Sequence, residues 1–395
     1  MADIEQMFYY FLVQHDHRRY LRFLWHENND FEKPLIEYQM NVHVFGNSPS
    51  PAVATYGLRR TALEAKDKYG EDVSQFVHRN FYVDDALSSH SSDEEAIDLL
   101  QRTQKALKEF GQLRLHKVSS NSSTVLSAFE NVDLAKELKN VELGHEGLPT
   151  QRSLGISWNL QDDQFTFQVS PQDKPFTRRG VLSTINSLFD PLGFAAPVTI
   201  AGKAILREAM SDGRDWDEPL PNEHRDKWEA WKSSLHHLGS VKISRTYGST
   251  SVSQTAKKEL CIFSDASEMA IAAVAYIRLT DLAGKQELGF VLGKAKLAPK
   301  HGHTIPRLEL CAAVLATELY EVVRSECDVE FDGVQFFTDS KAVMGTSQTR
   351  ANDFSRTSNT ESNASGDVAL PSNGITCLLN STQPMKELAR YQLVV

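Results

Sequence analysis

The sequence predicts an α+β chain of three successive regions and a tail. In residues 1–130, apolar runs rich in aromatic and branched side chains alternate with helical patterns. The middle third is mostly helical, and a polar linker at 246–256 separates it from a mixed α/β module. From Thr346 onward the sequence is rich in Ser, Asn, Thr and Gly and has no periodicity. We therefore predict domains at 1–150, 151–250 and 256–345, with a low-complexity tail at 346–395.

The first region has short strands around a capped helix. Ser92 and Glu95 form a capping-box pattern, which predicts the start of that helix. Its apolar stripe has the spacing of one buried face and comprises Ala96, Leu99, Leu100, Leu107 and Phe110. Strands are predicted at 20–25, 35–45, 111–117 and 154–158.

The remaining elements follow in chain order. Helices are predicted at 181–188 and 198–210, and the next stretch places Trp228, Trp231 and Leu235 on one face. The two tryptophans are interpreted as core packing rather than as a platform for stacked bases. After the linker, strands are predicted at 260–264, 271–278, 288–296 and 334–338, with a helix at about 307–324 before the last of them. We expect this helix to pack across the sheet through Leu308, Leu315 and Leu319.

Composition and charge narrow the class of protein. The chain of 395 residues is 41% hydrophobic and 24% charged, which is ordinary for a globular protein. No run approaches the roughly 18 apolar residues of a membrane span, and the acidic N-terminus lacks the features of a signal peptide. The cysteines lack CxxC spacing, so an intracellular location, cytoplasmic or nuclear, is expected. The net charge of −10 argues against an overall basic nucleic-acid-binding surface, although local basic strips remain compatible with it.

Two groups of acidic residues are candidate metal sites. Asp84 and Asp85 are adjacent at a predicted hairpin, where their like charges repel unless a divalent cation compensates them. A plain polar turn is the alternative for an Asp-Asp pair taken alone. Together with Asp3 they form one possible cluster, and Asp265, Glu309 and Asp339 form a second. Pairs of divalent ions held by carboxylates stabilise the attacking and leaving oxygens of phosphoryl transfer.

Several motifs of the first region resemble the palm of reverse transcriptases. Tyr82-Val83-Asp84-Asp85 resembles the YxDD motif, and the segment from Asp3 to Phe8 is similar to the first palm motif. The segment from Phe45 to Ala52 is similar to the Gly-containing Ser-Pro motif, with Phe45 where a glutamine is usual. Lys117 looks like the later palm lysine, and 154–158 resembles the primer-grip hairpin. This resemblance implies nucleotide or template contacts at Phe8, Gly46, Ser50, Pro51, Tyr82 and Lys117.

The chain as a whole resembles BEL/Pao-type long-terminal-repeat retrotransposon polyproteins over residues 2 to about 345. The phrases that carry this resemblance are Leu21-Arg22-Phe23-Leu24-Trp25, Ser187-Leu188-Phe189-Asp190-Pro191-Leu192-Gly193-Phe194, Trp216-Asp217-Glu218 and Pro306-Arg307-Leu308-Glu309-Leu310. The resemblance implies a reverse transcriptase palm, a helical thumb or connection, and a partial ribonuclease H-like module. It also implies Mg²⁺ or Mn²⁺ as cofactor, and RNA template, DNA primer, dNTP and RNA–DNA hybrid as partners.

The second acidic group follows the pattern of the ribonuclease H fold. Asp265 ends a first predicted strand, Glu309 lies in the first turn of a predicted helix, and Asp339 ends a later strand. In that fold the three positions converge on two Mg²⁺ ions that cleave the RNA of a hybrid. Taken singly, Asp339 could be a helix N-cap, and Glu309 could simply favour a helix N-terminus. Cations that could line a phosphate path or a solvated face are Lys294, Lys296, Lys300 and Arg307, whereas His301 and His303 are expected to be surface residues.

Both sites are expected to be catalytically impaired. The sequence begins at the first palm motif, so we expect no fingers to position a nucleoside triphosphate. A fourth carboxylate and a terminal helix are not evident after Asp339, and Asp353 and Asp367 lie in low-complexity sequence.

Two alternatives remain. The first is a remnant that binds nucleic acid without catalysis. The second is an aspartic peptidase, which requires an Asp-Thr/Ser-Gly turn that does not occur here.

Overall fold

The computed structural model describes residues 1–138, 148–153, 156–169, 174–210, 215–249, 255–299, 302–345 and 375–379. The chain divides into two compact units. The N-terminal unit comprises Met1–Leu154 with Trp158–Asp163, and the C-terminal unit comprises Gly155–Ser157 with Gln164–Val395. The C-terminal unit joins the helical region to the mixed α/β module, which the sequence analysis places in separate domains.

The N-terminal unit contains an antiparallel sheet and a group of helices. Along residues 1–159 the strands are β1 (Ala2–Ile4), β2 (Arg22–His26), β3 (Leu35–Gln39), β4 (Phe81–Tyr82), β5 (Asp85–Ala86), β6 (Leu115–His116), β7 (Thr150–Ser153) and β8 (Ile156–Asn159). The α-helices are α1 (Ser50–Tyr69), α2 (Glu71–Arg79), α3 (Asp93–Gly111) and α4 (Ser123–Ser127). Short 3-10 segments lie at Met7–Tyr10, His15–Tyr20, Glu27–Asn29, Asn131–Asp133 and Lys136–Leu138. One sheet has the order β4-β5-β1-β6, and β2 and β3 form a separate antiparallel ribbon.

Helices α1 and α3 give this unit its core. The predicted cap of α3 is confirmed, because the Ser92 side chain accepts a hydrogen bond from the Glu95 amide at 3.2 Å. Helix α1 buries one face of small and medium side chains, and α3 packs against that face and against β6. The buried residues of this face are Ala54, Leu58, Ala62 and Ala65. Their spacing of three and four residues is that of a single helix stripe, so close packing of α1 against α3 follows from the sequence.

The C-terminal unit contains a five-stranded sheet and the remaining helices. From residue 164 onward, the strands are β9 (Gln164–Thr166), β10 (Lys242–Ser244), β11 (Lys257–Ala266), β12 (Ala270–Thr280), β13 (Gln286–Leu297), β14 (Gly333–Thr338) and β15 (Ile375–Leu379). The helices are α5 (Arg178–Asn186), α6 (Ala196–Ala209), α7 (Arg225–Ser234) and α8 (Ile305–Glu326), and 3-10 segments lie at Asn222–His224 and Leu235–Ser240. The sheet order is β13-β12-β11-β14-β15. Strands β11 to β13 are antiparallel, whereas β14 is parallel to β11 and β15 is parallel to β14.

The sheet extends beyond the boundary predicted from the sequence. Strand β15 lies within 346–395, where the lack of periodicity led us to expect only a low-complexity tail. It pairs with β14 from Ile375 opposite Val334 to Leu379 opposite Thr338. Main-chain pairing with a neighbouring edge strand requires little of the local side-chain pattern, which explains why the sequence does not reveal this strand.

Helix α8 covers one face of this sheet. Leu308, Leu315 and Leu319 are almost fully buried and pack against Leu260 and Ile262 of β11. The expected packing of this helix through the three leucines is confirmed. The helix begins at Ile305, two residues before the predicted start, with Pro306 in its first turn. Proline is tolerated there because the first helical N–H groups have no partner within the helix.

The helical region packs onto the same sheet at β13. The Asp190 carboxylate accepts backbone hydrogen bonds from Gly193, Phe194 and Ala195, at 3.1, 2.9 and 2.7 Å. This loop lies against β13, where the Gly293 amide donates to the Leu192 carbonyl at 2.8 Å. These contacts explain why the helical region and the α/β module form one compact unit. The interpretation of the tryptophan pair as core is also confirmed, since Trp228 and Trp231 are buried and stacked at 4.9 Å.

Candidate metal centres

The N-terminal carboxylate cluster, Asp3, Asp84 and Asp85, is assembled by strand pairing. Asp3 of β1 lies directly opposite Asp85 of β5 in antiparallel register. Asp84 occupies the turn between β4 and β5, where its carbonyl accepts the Ile4 amide at 3.0 Å. Val83, the other residue of that turn, has a φ of 58°, which is strained for a β-branched side chain. Strand pairing therefore brings the three aspartates near enough for their charges to interact, but in the described residues their carboxylate oxygens do not all lie within 4.8 Å of one another.

Two basic side chains of the same unit contact the Asp3 carboxylate. The Lys117 ammonium lies 3.0 Å from Oδ2 of Asp3, and Nε2 of His116 lies 3.2 Å from Oδ1. Burial, followed by the charge of Asp3, raises the pKa of Asp84. Burial, followed by the charges of Asp84 and Asp3, raises the pKa of Asp85. The Lys117 charge lowers the pKa of both Asp84 and Asp85, but burial and the neighbouring carboxylates outweigh it.

His116 is a site residue that the sequence analysis did not identify. It lies directly opposite Asp3 because β6 pairs with β1 on the side away from β5. No local motif marks it, apart from its position beside Lys117. Only the pairing of strands more than 100 residues apart places it at the cluster.

The other candidate nucleotide contacts of this unit lie in different environments. Phe8 is buried and packs edge-to-face on Phe45 at 4.6 Å between ring centroids. Ser50, at the start of α1, is fully buried and lies 3.1 Å from Nδ1 of His43. Gly46 adopts a φ of 82°, Pro51 is exposed in the first turn of α1, and Tyr82 is 69% exposed. In the segment predicted as a primer grip, Leu154 and Gly155 lie outside the described residues.

The C-terminal carboxylate cluster, Asp265, Glu309 and Asp339, is assembled by parallel strands and a helix. Asp265 is the penultimate residue of β11, and Asp339 directly follows β14. Because β11 and β14 are parallel neighbours, their carboxyl ends meet at the same edge of the sheet. Helix α8 crosses there and contributes Glu309, and one oxygen from each of the three carboxylates lies within 4.8 Å of the others. Glu309 lies in the second turn of α8 rather than in the first, because the helix starts earlier than predicted.

The charges of this cluster are uncompensated within the described residues. Glu309 is only 7% exposed, and burial, then the charges of Asp265 and Asp339, raise its pKa to about 7. Burial, and then the charge of Asp339, also raise the pKa of Asp265. Hydrogen bonding from the Ala266 amide opposes both shifts, and this amide lies 2.8 Å from Oδ1 of Asp265. The fold therefore brings three like charges together without a cation among the residues described.

The donor set fits a hard divalent cation. The buried Oε2 of Glu309 has no hydrogen-bond partner in the described part of the chain. A buried carboxylate oxygen without a partner is costly, and coordination to a cation would satisfy it. Three carboxylates match the oxygen ligands that Mg²⁺ and Mn²⁺ prefer. Within the described residues, this is the group of three acidic, histidine or cysteine side chains that could hold a metal ion.

The alternative role for Asp339 is not supported. The residue that accepts the capping hydrogen bond is Ser340, whose Oγ lies 3.4 Å from the Val343 amide. The Ser340 amide in turn donates to Oγ1 of Thr338 at 3.2 Å. Asp339 lies exposed between them, with its carboxylate in the cluster.

The candidate phosphate-path cations have different surroundings. Lys294 and Lys296 are exposed on β13, and Lys296 is 3.4 Å from Glu318 of α8. Arg307 is exposed in the first turn of α8. His303 is half-buried and its Nδ1 has no partner in the described residues, so it is not the simple surface residue expected. Lys300 and His301 lie outside the described residues, as do Asp353 and Asp367.

None of the described helices is both long enough and apolar enough to cross a membrane.

Comparison with known proteins gives a family match within the C-terminal unit. Residues 177–340 match the model of the Pao retrotransposon-like RNaseH-like domain. No curated protein matches the chain. Among solved structures, the foamy viral protease-reverse transcriptase dRH in complex with double-stranded DNA is similar, with 14% identity and a TM-score of 0.49. That alignment covers 97% of this chain and 56% of the foamy viral chain, so this chain spans about half the length of that protein.

The family match at 177–340 begins at the cap of α5 and ends just after Asp339. Over these residues it confirms the resemblance to Pao-type retrotransposon sequences, because residues 177–340 are similar to the Pao retrotransposon-like RNaseH-like domain.

Proposed function

We propose that the C-terminal carboxylate cluster is a divalent-metal centre that hydrolyses phosphodiester bonds, with the RNA strand of an RNA–DNA hybrid as its substrate. The observation that carries this proposal is the convergence of Asp265, Glu309 and Asp339, in which a buried oxygen of Glu309 has no hydrogen-bond partner among the residues that the structure describes. The family match over the same residues supports the substrate class.

The chain's own residues have distinct roles in this proposal. Asp265 and Asp339 are exposed and present oxygens from two adjacent strand ends, so they would hold Mg²⁺ or Mn²⁺ where a phosphate can approach. Glu309 comes from α8 and is buried, and its raised pKa means that it must lose its proton before it can act as a ligand. The Ala266 amide orients the Asp265 carboxylate. When bound, the cation supplies Lewis-acid stabilisation of the phosphate and an activated water.

We propose that hydrolysis at this centre is weak. In the described residues three carboxylates converge, and no fourth joins them within the same distance. Two metal ions need enough ligands to fix their positions for in-line displacement. Without a fourth carboxylate, the rate of hydrolysis should fall more than the affinity for the metal.

For the N-terminal unit we propose a polymerase palm remnant with negligible polymerisation. The partners of an active palm would be RNA template, DNA primer and dNTP. Here Lys117 and His116 take both oxygens of Asp3, which would be needed as a metal ligand. Primer extension that is template-dependent and abolished by Asp84→Asn would contradict this proposal.

A cleavage assay with matched variants tests the hydrolase. The substrate is a labelled RNA–DNA hybrid with Mn²⁺, and the variants are Glu309→Gln and Glu321→Gln. Glu321 is exposed on the same helix, twelve residues beyond Glu309, about 18 Å away along the axis. We expect slow cutting that Glu309→Gln lowers at least tenfold and that Glu321→Gln leaves unchanged. Equal rates in the two variants, or cutting that persists in EDTA, would contradict the proposal.

A further inference from the structure

We propose that helix α6 carries a second nucleic-acid contact, in which Lys203 and Arg207 hold a backbone phosphate of the hybrid engaged at the C-terminal carboxylate cluster. This inference rests on the proposed function for its choice of ligand. Its structural basis is independent, because it comes from a groove between α6 and β13 that none of the three carboxylates lines.

The groove lies between α6 and the end of β13. It has a volume of about 390 Å³ and is lined by Lys203, Leu206, Arg207, Met210 and Leu297. Lys203 and Arg207 are four residues apart, so they lie on the same side of α6. The apolar side chains form its walls, and the two cations are its charged groups. A phosphate with an attached sugar edge matches this combination of charge and apolar surface.

The two cations are available for an anionic ligand. Lys203 is exposed and forms no ion pair within the described part of the chain. Arg207 donates one N–H, from Nη1, to the Ala298 carbonyl, which leaves its other N–H groups for a ligand. The neighbouring acidic residue on α6, Glu208, is 3.3 Å from the Lys227 ammonium, so its charge is compensated.

The groove is held at a fixed position on the sheet. Three backbone amides bind the Asp190 carboxylate and shape the loop that leads into α6. Gly193, with a φ of 83°, lies so close to β13 that a Cβ there would be 2.0 Å from the Gly293 carbonyl oxygen. Phe194 packs on Phe290 with 4.4 Å between ring centroids. Helix α6 therefore presents its cations from a rigid support rather than from a mobile loop.

The strand register places the groove near the carboxylate cluster and on the same face of the sheet. Asp265 of β11 pairs with Ala272 of β12, which pairs with Ala295 of β13. Leu297, two residues further along β13, points to the same face as Ala295. Two strand spacings of about 4.8 Å and two residues of about 3.3 Å each separate Asp265 from Leu297 by roughly 12 Å. The residues that the register places on this face between them include the small side chains of Ala272, Ala295 and Ala270, the partner of Leu297.

These positions fit one extended polyanion. A separation of roughly 12 Å corresponds to a few nucleotides of one strand, since phosphates follow one another every ~3.4 Å of helix axis, and the alanines leave room for a backbone to lie across the sheet. Because the chain has a net charge of −10, an isolated cation pair beside the cluster is a local feature rather than part of a general basic surface.

The test measures hybrid binding without cleavage. Fluorescence anisotropy of a labelled RNA–DNA hybrid is recorded with Ca²⁺ for wild type, Lys203→Glu, Lys203→Arg and Arg324→Glu. Arg324 is exposed in the last turn of α8, about 22 Å along the helix from Glu309. We expect Lys203→Glu to weaken binding about five- to tenfold and to lower the slope of log K against log salt by about one. Lys203→Arg should bind like wild type, and Arg324→Glu should change affinity less than twofold.

The outcomes separate this inference from the proposed function. If Lys203→Glu and Arg324→Glu bind equally, or if wild type does not bind the hybrid, the α6 groove has no such role. A Mn²⁺-dependent thermal shift that requires Asp265 would still leave the metal centre standing in that case. If binding depends on Lys203 while Mn²⁺ produces no shift and no cleavage, the groove stands and the proposed hydrolase fails.

Discussion

The two carboxylate clusters differ in how their charge is compensated. In the N-terminal cluster, Lys117 and His116 contact both oxygens of Asp3. In the C-terminal cluster, no cation of the described chain contacts Asp265, Glu309 or Asp339, and an oxygen of Glu309 is buried without a partner. The first cluster can fold without a metal ion, whereas the second carries an unfavourable charge that a metal ion would relieve. Acidic residues near one another thus do not by themselves predict a metal centre.

The largest expected effect is stabilisation of the C-terminal unit by Mn²⁺. An ion at 100 times its Kd adds about 2.7 kcal/mol to the free energy of unfolding, which corresponds to about 5–10 °C for a unit of this size. Differential scanning calorimetry of the whole chain should show one transition that moves by this amount. Asp265→Asn should abolish the movement, and Asp3→Asn should leave it intact. A shift of equal size in both variants would remove the distinction between the clusters.

A smaller effect is expected from pH in the absence of metal. The pKa of Glu309 rises from 4.5 to about 7 on folding, so the folded state binds more protons than the unfolded state between these values. Stability from this group is therefore fully present below pH 4.5 and is lost as pH rises to about 7. Glu309→Gln should remove this loss and melt higher than wild type at pH 8.

Thermal melts between pH 5 and 8 in EDTA check this prediction, with Glu321→Gln as the matched control on the same helix. A melting temperature that falls equally with pH in wild type and Glu309→Gln would show that Glu309 does not carry the strain.

The smallest effect concerns the internal cation of the N-terminal cluster. Lys117→Gln removes an ion pair with a half-exposed lysine, which should cost about 0.5–1 kcal/mol. The same change leaves Asp3 without that charge beside Asp84 and Asp85, so Mn²⁺ should now stabilise the N-terminal unit. Lys117→Arg keeps the charge and should show neither effect. No gain of Mn²⁺ response in Lys117→Gln would mean that Lys117 is not what distinguishes this cluster from the other.

Much of the fold could be predicted because the signals are local. The cap at Ser92 and the buried leucine stripe of α8 depend on residues within a few positions of each other, and the structure agrees with both. Strand β15 and the joining of the helical region to the α/β module could not be predicted in this way. They depend on main-chain pairing and on a close approach of Gly193 to Gly293, which are separated by 100 residues.

In the candidate sites, too, the sequence predicts the local features but not those that depend on tertiary contacts. Motif order was sufficient to select Asp265, Glu309 and Asp339 as a group, because each follows a recognisable strand or helix pattern. The charge environment was not predictable. His116 reaches Asp3 through strand pairing, and Lys203 reaches the same sheet face as Asp265 through the packing of α6. Compensation of a charge is a property of tertiary neighbours, which a linear motif does not record.

The most direct test of the difference between the clusters is a count of bound Mn²⁺ ions by electron paramagnetic resonance, in wild type, Asp265→Asn and Asp3→Asn. We expect wild type and Asp3→Asn to bind Mn²⁺ with equal stoichiometry and affinity, and Asp265→Asn to lose that binding. Retention of wild-type binding in Asp265→Asn, or its loss in Asp3→Asn, would contradict the assignment of the metal centre to the C-terminal cluster.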